Sequence, residues 1–178
     1  VRTMFADSSG QVWAGTLGRG LLRFSEGLFL NATEGGFLRR DREVCALFED
    51  SLKRLWVGTP DGLACNDQGR WSFYTPRDGL AGSFVRAIAE GPDRAIWIGT
   101  ERGGISVFRE GRFLTKTNQT PGHSPALAAF PTTTVSCLLW DTNQVLWAGT
   151  SLGLARFDNL SWTFYTNQPG LSGPNIGY

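Results

Sequence analysis

Apolar positions along the chain fall in short runs of four to six residues, broken by turns rich in Gly, Asp, Asn and Ser. No stretch carries the 3.6-residue periodicity of an amphipathic helix, and the pattern predicts short strands. One tetrapeptide, Trp-x-Gly-Thr, recurs four times: Trp13, Gly15, Thr16; Trp56, Gly58, Thr59; Trp97, Gly99, Thr100; Trp147, Gly149, Thr150. A valine stands twelve residues before each Trp, at Val1, Val44, Val85 and Val135. These valines are 43, 41 and 50 residues apart, which is the spacing of β-propeller blades.

Each unit reads as four strands. The first runs Val1 to Phe5, Val44 to Phe48, Val85 to Ala89 and Val135 to Leu139, apolar on both faces, as for an inner strand held between neighbouring blades. An acidic turn follows, opened by Asp7, Asp50 and Asp141, whose carboxylates are expected to accept from backbone N–H groups ahead of them. Gly91 takes this place in the third unit. The second strand carries Trp-x-Gly-Thr, and its glycine leaves room for a large neighbouring ring. The third strand covers Leu21 to Phe24, Leu63 to Cys65, Ile105 to Phe108 and Leu154 to Phe157. The fourth is aromatic: Leu28 to Leu30, Trp71 to Tyr74, Phe113 to Leu114 and Trp162 to Tyr165.

The fold class is therefore all-β: four four-stranded antiparallel blades, at 1–43, 44–84, 85–134 and 135–175. Pro169-Gly170-Leu171 leads to Ile176 as Asp78-Gly79-Leu80 leads to Val85, so 176–178 read as the start of a fifth blade. The expectation is an open arc cut from a longer ring. A closed four-bladed ring with a short tail is the alternative.

Composition narrows the function. The 17 basic and 16 acidic side chains give a net charge of +1, which gives no reason to expect nucleic acid or an anionic membrane as partner. No apolar run approaches the length of a bilayer span, so this segment is not expected to insert in a membrane. Cys45, Cys65 and Cys137 lie far apart in strand-like runs and read as inert buried thiols. No metal-ligand spacing is present, and no cofactor is expected.

The run Val-x-x-apolar-x-x-Asp, then Trp-apolar-Gly-Thr-x-x-Gly-apolar, an aromatic strand and Gly-Leu resembles the two-component regulator propeller repeat, over nearly the whole chain. The departures are Gly91, the turn residues Lys53, Arg94 and Gln144, and an insertion in the third unit. The resemblance implies the extracytoplasmic, periplasmic sensor of a bacterial inner-membrane receptor. Such repeats usually form seven-bladed rings, followed by a β-sandwich, a transmembrane helix and a histidine kinase or diguanylate cyclase module. It implies a non-catalytic, ligand-sensing segment in two-component signal transduction. Its partners would be a small molecule or oligosaccharide, the remaining blades and downstream signalling domains, and a second copy in a homodimer. Two alternatives stay open: a propeller lyase of the antibiotic-opening type, and a purely structural or dimerisation propeller.

In a four-stranded meander, the loops between second and third strands share a face with the blade-to-blade loops, and a ligand is expected there. On or near that face the candidates are Arg19, Arg40, Asp61, Arg77, Arg86, Glu101 and Arg102, the arginines offering planar donor forks to carboxylates, sulfates or sugar hydroxyls. Ordinary solvated loop charge is the competing reading. The insertion 118–134 is a long loop on a rigid scaffold, read either as a recognition element or as a tolerated insertion. It holds the only histidine, His123, a candidate ligand contact with no Ser, Cys or carboxylate partner at a defensible spacing for catalysis. The blade tryptophans are expected in the core, being kept at one register in every unit. Trp140 differs: its place is taken by Ala6, Glu49 and Glu90 in the other units, so it is a candidate ligand contact.

Overall fold

A computed structural model describes residues 1–32, 43–114, 130–158 and 161–166. The described strands form four antiparallel sheets, each a meander of four neighbours in chain order. The first sheet is β1 (Thr3–Ala6), β2 (Val12–Gly15), β3 (Leu21–Ser25) and β4 (Leu28–Asn31); the second is β5 (Ala46–Glu49), β6 (Leu55–Thr59), β7 (Gly62–Asp67) and β8 (Arg70–Tyr74). The third is β9 (Val85–Glu90), β10 (Ile96–Thr100), β11 (Gly104–Arg109) and β12 (Arg112–Leu114). The fourth is β13 (Val135–Trp140), β14 (Leu146–Thr150), β15 (Gly153–Phe157) and β16 (Trp162–Tyr165). The chain is a partial β-propeller, all-β, with its blades in sequence order. The stretches at 33–42, 115–129, 159–160 and 167–178 lie outside the described residues, so the expected fifth-blade start and most of the insertion do too.

The apolar residues collect between blades. One cluster joins Leu21 of the first blade to Val44, Leu55, Val57 and Ala64 of the second. Another joins Trp56, Leu63 and Cys65 to Val85, Ile96, Ile98 and Phe108. A third joins Trp97, Ile105 and Val107 to Val135, Leu146, Ala148 and Phe157. A single sheet has too little depth to bury its own side chains, so each blade completes its core on its neighbour.

The tryptophans of the first three blades, Trp13, Trp56 and Trp97, pack in clusters shared with the following blade. Trp56 is fully buried and meets Phe108 edge-on, with ring centroids 5.3 Å apart. The glycine two residues on has a different purpose from the one expected. A Cβ on Gly15, Gly58 or Gly99 would stand 2.6–2.7 Å from Cγ1 of Val44, Val85 or Val135. The group that fills this space is the first valine of the next blade, not an aromatic ring.

The inner strands also depart from expectation in one respect. Buried and half-buried positions alternate along β9, with Val85, Ala87 and Ala89 inside. The intervening Arg86, Ile88 and Glu90 are half-buried, and Ile88 still packs against the core cluster, so the second face of this strand is covered less completely than the first. Val44 precedes its strand because its N–H donates across to Thr16 O of the previous blade, at 2.9 Å, and not into its own sheet.

Candidate functional site

The turn between second and third strands is locked by the repeat threonine. Oγ1 of Thr16, Thr59, Thr100 and Thr150 donates to the carbonyl of Gly20, Gly62, Gly104 and Gly153 at 2.8–3.0 Å. The same hydroxyls of Thr16, Thr59 and Thr150 accept a backbone N–H from within the turn. A buried hydroxyl that both donates and accepts holds a turn rigidly. These turns and the blade-to-blade connections share a face, which makes that face a firm platform.

Two of the sequence candidates meet there. Arg86 on β9 reaches Glu101 with Nε at 3.1 Å and Nη2 at 2.6 Å, and its guanidinium lies 4.6 Å from the Phe84 ring centroid. The others stand each at its own turn. Arg19 is exposed, and its backbone N–H serves the Thr16 turn. Asp61 is exposed, with its N–H on Thr59. Arg77 is exposed in a short 3-10 turn, Pro76–Asp78, capped by Thr75 and Asp78. Arg102 is exposed in a left-handed backbone conformation, its N–H on Thr134 Oγ1. Arg40 and His123 lie outside the described residues.

Sequence reasoning missed a second rim pair, in which Arg2 contacts Glu43. The signal was available: Arg2 holds the same register position as Arg86, one residue after the blade's first valine. Between the two arginines a groove of about 570 Å3 runs down the inner strands. Arg2 and Arg86 stand at its rim, and Met4, Leu47, Ile88 and Leu138 form an aliphatic floor. Of the sequence candidates among the described residues, only Arg86 lines it. Cys45 also lines it, but burial, helped by the Glu43 charge, pushes its thiol up to about 12. Burial likewise pushes Cys65 up to about 12. Neither is a ready nucleophile, since the thiolate is the reactive form.

The acidic turns lie on the opposite face and link blades. Asp50 Oδ1 accepts from the N–H groups of Leu52 and Arg54, as expected of a turn aspartate, while Oδ2 accepts from Trp56 Nε1 at 2.8 Å. Next to it, Ser51 donates its N–H and its hydroxyl to Glu90 of the third blade. Ser8 does the same to Glu49 of the second. The structure places Trp140, at the corresponding position of the fourth blade, between the third and fourth blades. It is half-buried and edge-on to Trp97, with centroids 5.6 Å apart.

Among the described residues, no group of three His, Cys, Asp or Glu side chains could hold a metal ion. None of the helices there is long and apolar enough to cross a membrane.

The two component regulator propeller family model matches residues 79–102, the Gly-Leu link into the third blade and its Trp-x-Gly-Thr. The resemblance expected from the repeat is thereby borne out. No curated protein matches the chain. Among solved structures, the extracellular domain of a B. thetaiotaomicron protein described as a hybrid two component system is similar over 97% of this chain, at 25% identity and a TM-score of 0.78. The chain spans 24% of that structure. A catalytically inactive histidine-to-alanine variant of virginiamycin B lyase from Staphylococcus aureus, with quinupristin, is similar over 96% at 17% identity and a TM-score of 0.65. The chain spans 56% of it. A streptogramin B lyase structure is similar over 95% at 15% identity and a TM-score of 0.67, and the chain spans 55% of it. At these identities the two lyases are relatives in fold alone.

Proposed function

We propose that this chain is a sensing segment of a bacterial two-component receptor. It would lie outside the cytoplasm, in the periplasm, with no catalytic chemistry of its own. The observation that carries the reading is the match along 97% of the chain, at 25% identity, to the extracellular domain of a hybrid two component system. The family match at residues 79–102 points the same way.

The rim of Arg2 and Arg86 over an aliphatic floor suits a small ligand with hydroxyl or carboxylate groups on one side and an apolar face on the other. Oligosaccharides have both. The groove extends as blades are added, so the remaining blades of a longer ring are its natural partners. The downstream signalling domains would read its occupancy, and a second copy would pair with it in a homodimer.

The test is made on the full-length receptor in membrane vesicles. Autophosphorylation is followed while a panel of oligosaccharides is added on the extracytoplasmic side. The expected result is stimulation or inhibition by one class of sugar, lost in Arg86→Ala. Ring-opening of quinupristin by the purified protein, detected by mass spectrometry, would establish the lyase alternative. A receptor indifferent to every ligand, with Arg86→Ala silent, would leave the structural role.

A further inference from the structure

In three blades the tryptophan hands its indole N–H to the turn aspartate: Trp13 to Asp7 at 2.8 Å, Trp56 to Asp50 at 2.8 Å, and Trp147 to Asp141 at 3.0 Å. The third blade breaks the pattern. Gly91 stands at the aspartate position, and Trp97, only 4% exposed, has no acceptor for Nε1.

Three more replacements surround the same corner. Pro92 takes the place of Ser8 and Ser51 and has neither N–H nor hydroxyl to donate. Trp140 takes the place of the accepting Glu49 and Glu90. The carboxylate has moved two residues along, to Asp93. Its Oδ1 accepts from Ala95 N–H at 3.1 Å, as Asp50 does from Arg54, and its Oδ2 is in contact with Arg109. The backbone role of the turn aspartate is kept, and its indole role is dropped.

Among the described residues, the buried side-chain nitrogen atoms without a partner are Trp97 Nε1, Trp140 Nε1 and Arg109 Nε. All are donors, and all belong to this corner. A Cβ built on Gly91 would lie 3.0 Å from Trp97 Nε1, 3.0 Å from Asp93 Oδ1 and 3.2 Å from Trp140 Cζ2, at the nitrogen-bearing edge of that ring. Arg109 shares a strand face with Val107, which packs in the same cluster as Trp97. Buried donors are rarely left without an acceptor, because each has given up its bonds to water. Several at one place, none of them bonded to a protein acceptor although Asp93 Oδ1 stands in the same corner, point to an acceptor from outside the chain.

We propose that the Gly91 corner binds one small hydrogen-bond acceptor, a water molecule or a halide ion, held by Nε1 of Trp97 and Trp140. The occupant does at this interface what Asp and Glu side chains do at the other two. It must be small, because the Trp140 ring fills the space a carboxylate would need. The charges at the corner allow either source. Arg109 favours an anion, while Asp93 Oδ1 disfavours one and accepts a proton from water.

The proposal is tested on the unmodified chain, labelled with 15N and 13C, by the NMR signals of its seven indole N–H groups. Triple-resonance assignment avoids dependence on a variant. The expected result is a downfield proton shift for Trp97, grouped with those of Trp13, Trp56 and Trp147. Bromide is then titrated into halide-free buffer. A saturable movement of the Trp97 and Trp140 peaks identifies a halide, and downfield peaks indifferent to bromide identify water. Upfield positions for both indoles in every buffer, as for N–H groups facing no acceptor, overturn the proposal.

Discussion

Ser51 of the second blade donates twice to the carboxylate of Glu90 in the third, from its N–H at 2.8 Å and its hydroxyl at 2.7 Å. The two residues are 39 apart in sequence, and the contact ties one sheet to the next where no strand ladder connects them. Glu90→Ala removes both acceptors. The expected cost is about 1 kcal/mol, because the bonds are charge-assisted but solvent-accessible. Ser51→Ala, which keeps the N–H, is expected to cost less. Urea denaturation of the three proteins checks the order, and equal midpoints would show that the contact is incidental.

The contact between Gly58 and Val85 predicts a compensating pair. Gly58→Ala places a methyl 2.7 Å from Val85 Cγ1 and 3.0 Å from Ala46 Cβ. Overpacking of this kind costs about 1–3 kcal/mol. Val85→Ala alone is expected to destabilise by leaving a hole in a fully buried position. Together the two changes are expected to cost less than their sum, since each relieves the fault the other makes. A thermodynamic cycle from thermal or urea unfolding measures the coupling; strict additivity would refute the contact.

Asp141 predicts a dependence on acid. The Val145 N–H and the Trp147 indole hold its carboxyl below the ordinary 3.8. A carboxylate with a depressed folded value contributes stability that is fully present above 3.8, and loses it as pH falls through the folded value. Asp141→Asn is therefore expected to lag behind the parent chain at neutral pH, with the gap narrowing on acidification below 3.8. Urea midpoints measured for both proteins from neutral pH to strong acid check this. A gap of constant size would rule out ionisation as its source.

The parts of the fold readable in sequence are those fixed by residues close together in the chain. Trp-x-Gly-Thr, the valine twelve residues before it and the aspartate six before it are all local, and they gave the strands, the turns and the order of the blades. The neighbour of Gly58 was not readable, because Val85 lies 27 residues on and only the closing of one blade on the next brings them together. The same holds for the Ser51 contact with Glu90. The variation among Ala6, Glu49, Glu90 and Trp140 reads, within single units, as freedom from burial. Read against the preceding unit it has a rule: glutamate follows Asp-Ser, and tryptophan follows Gly-Pro. Around the groove, register was a better guide than loop position. Arg86 and Arg2 share one register, whereas Arg19, Asp61, Arg77 and Arg102, which lie in loops, stand each at its own turn.

The contacts across the blade faces also give each blade an address. The second blade carries glutamate on its leading side and serine on its trailing side, so a duplicated copy would fit against itself. The third is an adaptor, with glutamate on one side and Gly91-Pro92 on the other, and the blade that follows it carries tryptophan where the others carry glutamate. Duplication and shuffling of blades within such a chain are therefore constrained one seam at a time. A copy of the second blade would meet matching serine and glutamate at each seam, whereas parting the third from the fourth would separate Gly91 and Trp97 from Trp140.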